Sequence, residues 1–292
     1  MDNFHQITAR LPSVLAEQME WLPASVTSAV EEIRLRCGQY ICIQGGNSEK
    51  IIEYRLTQED LQKTLNHLIH FSYYAYEEDM AKGFVTIEGG HRVGICGKAV
   101  IKGGHITLIK EISSLNIRFA KEVIGCGEKL ASQLKDKRGN PQHTLIVSPP
   151  GCGKTTLLRD LARIFSNEGR KVAICDERSE LAGMYRGIPS FYLGSRTDVL
   201  DGCDKSEGIP ILIRSMSPDV IVTDEIGKRE DLPAIEMCLG TGVCLITSIH
   251  GSSREELMKS NLRNLIGENV FRHIIYLTKD SRPGKIVEVV HA

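Results

Sequence analysis

The stretch LIVSPPGCGKTTLLRDLAR, residues 145–163, decides how the second half of this chain folds. A short β-rich run, TLIV at 144–147, leads into Ser148, Pro149, Pro150, Gly151, Cys152, Gly153, Lys154, Thr155 and Thr156. A helical pattern follows, with Leu157, Leu158, Leu161, Ala162 and Phe165 on one face until Gly169 stops it. Strand, glycine loop and helix is the setting in which backbone N–H groups and a helix N-terminus hold phosphate, and Gly151 and Gly153 let the backbone come close. Lys154 is placed to neutralise phosphate charge, and Thr155 to offer its hydroxyl to Mg²⁺. Where such loops usually begin with glycine this one has Ser148, followed by two prolines; that position only starts the turn, and a small residue fits there.

Further along, PDVIVTDEIG (218–227) is a buried-strand pattern ending in two acids. Asp224 is expected to hold Mg²⁺ through water, and Glu225 to polarise an attacking water. KVAICDERSE (171–180) delivers Asp176, Glu177 and Glu180, with Glu177 expected beside the nucleotide, and GVCLITSIHG (242–251) delivers Thr247, Ser248 and His250. In an open parallel sheet, ligands bind outside the carboxyl ends of the strands, so all four ends are expected at one crevice. A solvated loop for Glu177 and Glu180, and a structural role for His250, are the plainer alternatives. Residues 183–208 read as a long loop in which Arg196 and Asp198 are candidates for contact with a neighbouring subunit.

The first half mixes strand signals with one helix. EEIRLRCGQYICI reads as strand, turn at Gly38, strand; residues 57–80 read as a helix opened by a Thr57–Asp60 capping box; Phe84 to Phe119 reads as a β-meander turning at Gly89-Gly90 and Gly103-Gly104. The polar LKDKRGNPQ (134–142) suggests a link. The expected organisation is an N-terminal α+β domain (1–125), a linker (126–141) and an α/β domain with a mainly parallel sheet (142–292).

Composition narrows the function class. The chain has 292 residues, 41% apolar and 25% charged, with 36 Lys and Arg against 37 Asp and Glu, so no overall basic footprint points to nucleic acid. A DNA-acting ATPase and a nucleotide-binding scaffold with little turnover remain the competing classes. No apolar run approaches the length of a membrane span, and the start MDNFHQITARLPSVL has no leader pattern, so a cytoplasmic location is expected. Nine cysteines without a C-x-x-C pair read as reduced thiols. Cys152 lies at a helix start, a setting that can activate a thiol, while His67 and His70 lack companion metal ligands.

With these residues in hand, the second half resembles the secretion-superfamily ATPases of type II and type IV secretion and pilus assembly, which are RecA-like. GCGKTT, CDERSE, TDEIG and TGVCLITSIHGSS match that family's four boxes in order. The resemblance implies that His250 senses the γ-phosphate. GGHRVGICGKAV and SSLNIRFA resemble the N-terminal segments that present arginines, which carries an arginine-finger role onto Arg92 and Arg118; each could instead be a surface strand residue. Asp224 stands where many members have glycine, and a tetracysteine zinc module is missing. EEIRLR, GGHRVGICG, GSRTDVLDGCDK and RSMSPDVIVTDEIG, together with the phosphate loop, are similar over nearly the whole chain to a sporulation family of spore-forming Firmicutes. That implies ATP and Mg²⁺ as ligands, a homo-hexamer, and membrane-embedded sporulation or secretion proteins as partners, through which alone the chain would meet the membrane.

Overall fold

Alternating apolar residues build the first sheet. In β1 (Val30–Arg36), Ile33 and Leu35 turn inward while Glu31 and Arg36 face out. β2 (Tyr40–Gly45), β3 (Ser48–Arg55), β4 (Phe84–Ile87), β5 (His91–Lys102) and β6 (His105–Arg118) join it in the order β3-β2-β1-β6-β5-β4, every pair antiparallel. Gly103 and Gly104, both at positive φ, form the two-residue turn between β5 and β6. In this computed structural model residues 3–46, 48–278 and 284–291 are described. They divide into two compact units: residues up to Lys121 with Tyr185–Ser190, and Glu122–Met184 with the chain from Phe191 onward.

The capping box is present: Asp60 N–H donates to Thr57 Oγ1 at 3.1 Å, and Thr57 N–H to Asp60 Oδ2 at 2.8 Å. The helix it opens is shorter than its periodicity suggests and runs only over Gln58–Leu68. His70 and Phe71 take left-handed φ, and Phe71 N–H returns to Asn66 O at 2.8 Å, which closes the helix end. The aromatic run that follows is poorly suited to continue it. A 3₁₀ turn at Tyr73–Tyr76 and a short helix Glu77–Ala81 then bury Tyr76 and Met80 in the same core as Leu61, Leu65 and Leu68.

The second unit rests on runs that are apolar on both faces, as strands covered by helices on each side require. Its sheet comprises β7 (Thr144–Ser148), β8 (Val172–Asp176), β11 (Thr197–Asp201), β12 (Val220–Glu225), β13 (Cys244–His250), β14 (His273–Thr278) and β15 (Lys285–His291), in the order β11-β8-β12-β13-β7-β14-β15. All pairs are parallel except β14 with β15. A two-residue ribbon, β9 (Met184–Tyr185) with β10 (Ile188–Pro189), completes the strands.

Two expectations need correction. The long loop at 183–208 contains that ribbon and β11, which pairs with β8 from Thr197↔Val172 to Asp201↔Asp176. Its half-buried TDVLD pattern is too short to stand out among glycines. The stretch 126–141 is no free tether: it holds a helix, Glu128–Ala131, with Leu130, Ala131 and Leu134 buried. Its polar end is a tight turn in which Asp136 Oδ1 accepts from the Arg138 and Asn140 N–H groups, each at 2.8 Å.

Burial sets a pH limit on the first unit. His91 is fully buried with Nδ1 accepting from Ala120 N–H at 3.0 Å, and burial, aided by nearby Arg10, lowers its pKa to about 4. The unfolded chain therefore binds this proton first, so stability falls as pH drops from about 6.5 toward about 4. Denaturant unfolding should show a loss of about 2 kcal/mol at this site between pH 7 and pH 5. His91→Asn, whose amide oxygen can replace Nδ1 as acceptor, should remove that part of the pH dependence.

Candidate active site

The strand order of the second unit sets β13 between β7 and β12, with β8 beyond, so Ser148, His250, Glu225 and Asp176 end neighbouring strands. His250 pairs in register with Ser148, and Glu225 with Ser248. The phosphate loop leaves β7 at Ser148, which is buried and extended, its Oγ donating to Pro149 O at 2.9 Å. Left-handed backbone is needed later, at Gly151 (φ +74°) and Gly153 (φ +88°). The missing first glycine is thus no conformational loss. Gly153 then caps the helix Lys154–Asn167, whose first turn includes Thr155 and Thr156, while Cys152 is buried in the loop as a free thiol.

Lys154 folds back over its own loop. Its Nζ donates to Ser148 O at 2.9 Å and Pro149 O at 3.3 Å, and lies 2.8 Å from His250 Nδ1. Burial lowers its pKa, and the Glu225 charge opposes that. The other ring nitrogen, His250 Nε2, lies 2.8 Å from Glu225 Oε2. A neutral ring protonated at Nε2 satisfies both contacts, accepting from lysine and donating to carboxylate. Lys154, His250 and Glu225 therefore form one chain across three strand ends.

Asp224 turns the other way, as consecutive strand residues do, next to a register irregularity between Val222 and Glu225. It is buried and paired with Lys205 Nζ at 2.5 Å; Lys205 also binds Glu177, and Lys228 reaches Glu177 at 2.8 Å. Burial raises the Asp224 pKa to about 6 even though Lys205 pulls it down. For Glu177, burial is outweighed by the two lysines, and the pKa falls to about 2. A cleft of about 350 Å³ is lined by Glu177, Lys205, Asp224, Glu225, Lys228 and His250, among others.

Lys205 and Lys228 escaped the sequence reading. One signal was available: Lys205 opens the helix Lys205–Met216, where a cation opposes the helix dipole and so calls for an acidic partner. Two residues expected at the crevice are used elsewhere. Asp176 is fully buried and accepts from the N–H groups of Glu180, Leu181 and Ala182 at 2.8–2.9 Å, so it shapes the following loop. Thr247 donates to Asp224 O at 2.7 Å and ties β13 to β12. Arg196 lies before β11, its Nη1 donating to Gly169 O at 3.2 Å. In the first unit, Arg92 on β5 stands opposite Arg118 on β6, with the Arg92 guanidinium 3.6 Å from the centre of the Phe84 ring. Glu32 on β1 stands opposite Arg118, and Asp79 lies close enough to Arg92 to feel its charge, so acids offset the like charges.

Residues 5–291 match the family model for sporulation stage III, protein AA. The chain belongs to that family. It is 39% identical over 291 residues to stage III sporulation protein AA of Bacillus subtilis, covering 98% of this chain and 94% of that protein. A shorter match, 32% identical over 161 residues, joins 53% of the chain to 46% of an uncharacterized protein, ycf45, of Cyanidium caldarium. Among solved structures, the Legionella pneumophila ATPase DotB superposes with a TM-score of 0.60 at 16% identity, over 91% of this chain and 76% of that one. The pilus retraction motor PilT with bound ADP superposes with a TM-score of 0.59 at 16% identity, over 90% and 76%. These likenesses show a RecA-like α/β fold shared with that ATPase and that pilus retraction motor.

The buried ion pair can be tested through stability. Lys205→Met strands Asp224 and should cost about 3 kcal/mol at neutral pH, since breaking a buried pair leaves an uncompensated charge. Lys205→Met combined with Asp224→Asn should recover most of that loss in denaturant melts.

Proposed function

We propose that the chain hydrolyses ATP to ADP and phosphate with Mg²⁺, and that it acts as the motor of the channel between mother cell and forespore during endospore formation. The contact chain Lys154–His250–Glu225 carries this reading, because it links the phosphate loop to the acid best placed to activate water. Family membership and the fold shared with a pilus retraction motor support the motor role.

The residues present suit the ligands. Gly151 through Thr156 offers a run of loop and helix-start N–H groups around two left-handed glycines, as a polyphosphate requires, with Ser148, Pro149 and Pro150 forming the entry to it. A hydroxyl at Thr155 and a carboxylate at Asp224 suit Mg²⁺, which keeps several waters and takes other ligands from substrate phosphates. Bound there, Mg²⁺ would neutralise charge on the phosphates.

Lys154 would give up its contacts to the Ser148 and Pro149 carbonyls and turn its ammonium to the β- and γ-phosphates. His250, losing its lysine partner, would take up a proton at Nδ1 and donate from it to the γ-phosphate, while Nε2–H stays on Glu225. Glu225, held through His250 Nε2, would orient and polarise the attacking water. Asp224 would exchange part of its pairing with Lys205 for metal-bound water, with Lys205 and Lys228 keeping Glu177 in place beside the nucleotide. Arg92 and Arg118 would act as arginine fingers, of the kind worth about 10³- to 10⁵-fold in rate. A homo-hexamer would bring successive copies into register, docked on membrane-embedded sporulation proteins from the cytoplasmic side.

Lys154→Ala should abolish turnover and weaken nucleotide binding, whereas Glu225→Gln should cut turnover by at least about 10²-fold and leave binding intact. Phosphate release and calorimetric nucleotide titration read the two effects separately. An unimpaired Glu225→Gln chain would remove the role assigned to Glu225.

A further inference from the structure

We propose that the free end of the β5–β6 ribbon docks on an anionic lipid surface, a direct contact that goes beyond the partner-mediated one and rests on no catalytic role. β5 pairs with β4 only from His91 to Gly94, and β6 pairs with β1 only from Ser114 to Arg118. The two strands nonetheless stay paired with each other out to Lys102↔His105. Among the described residues no third strand flanks this outer part, which extends roughly 20 Å at 3.4 Å per residue. Its base is anchored: Ile112 is buried, and Ile109 packs half-buried against the core of the first unit. Past that anchor Val100 is half-buried and the other aliphatic side chains are exposed. Ile101 is 65% exposed, Ile106 47% and Leu108 40%.

Charge decides the kind of occupant. From Gly89 to Lys110 the sequence has no Asp or Glu but carries Arg92, Lys98, Lys102 and Lys110. Lys98 and Lys110 stand opposite each other, an unfavourable arrangement in isolation, and Glu111 reaches Lys98 at 3.7 Å. An anionic surface would relieve that repulsion.

Shape decides between lipid and protein. A register irregularity separates the pairs Val100↔Leu108 and Ile101↔Ile106; on β5 Val100 and Ile101 are consecutive and so point to opposite faces, which puts apolar surface on both sides of the tip. A protein groove would match one face, whereas a wedge with lysines behind it suits the boundary between headgroups and acyl chains. Aliphatic side chains enter that boundary while lysine stems lie along them and keep their charges among the headgroups. The ribbon would rest in the interface, and no helix among the described residues is long and apolar enough to cross the membrane.

Flotation of the full chain with vesicles tests this, using phosphatidylcholine alone or mixed with phosphatidylglycerol. The chain should float with the phosphatidylglycerol vesicles at low salt, far less at high salt, and not with phosphatidylcholine alone. The variant Lys98→Gln/Lys102→Gln/Lys110→Gln should bind about a hundredfold more weakly, at roughly fivefold per lysine. The variant Ile101→Ser/Ile106→Ser/Leu108→Ser should lose at least about tenfold, with an unchanged unfolding midpoint because these side chains are exposed. Every other pattern overturns the proposal. A parent chain that does not float leaves the ribbon to a protein partner, and an apolar variant that floats like the parent reduces the contact to non-specific charge.

Discussion

The position of β13 between β7 and β12 is the constraint on which the candidate site depends. Were β7 and β12 neighbours, the phosphate loop and the acid pair would sit one strand apart, about 4.8 Å, and no side chain could stand between them. The inserted strand widens that gap and fills it with His250, whose two ring nitrogens meet Lys154 on one side and Glu225 on the other. The bonds that tie the strands together, such as Thr247 Oγ1 to Asp224 O, keep the acids at the height where this contact is possible. Fold and site geometry are in this sense one fact.

The two consecutive acids divide the work of the crevice. Glu225 belongs to the contact chain that runs through His250 to Lys154, while Asp224 belongs to a separate cluster with Lys205, Glu177 and Lys228. That cluster holds two lysines and two carboxylates, so charge already balances within it. Such balance explains how Lys205 can be almost completely buried, since a lone ammonium there would lose its proton or stay in water.

Much of this was legible in the sequence wherever chemistry and local pattern coincide. The loop glycines, the strand-end acids, the Thr57–Asp60 cap and the two glycine turns of the first sheet each combine a residue type with its local conformational demand. What was not legible depends on neighbours distant in sequence. Asp176 looks like a site acid until the N–H groups of Glu180, Leu181 and Ala182 are seen to occupy it. β11 is a strand because β8 offers it an edge, not because TDVLD insists on one. The helix break at His70 and Phe71 depends on the core that Tyr76 and Met80 must reach, which periodicity alone does not contain.

Arg159 adds a mechanical consequence. It rises from the helix that begins at the phosphate loop, donates to Leu181 O at 2.7 Å and Glu180 O at 2.8 Å, and stacks on Phe191 with 3.5 Å between guanidinium and ring centre. The same loop is gripped from its start by Asp176, which leaves it little freedom of its own. Helix, loop and the end of β8 are therefore braced into one stiff unit, which fixes Glu177, and with it the two lysines, at a set place relative to the helix that starts at the phosphate loop.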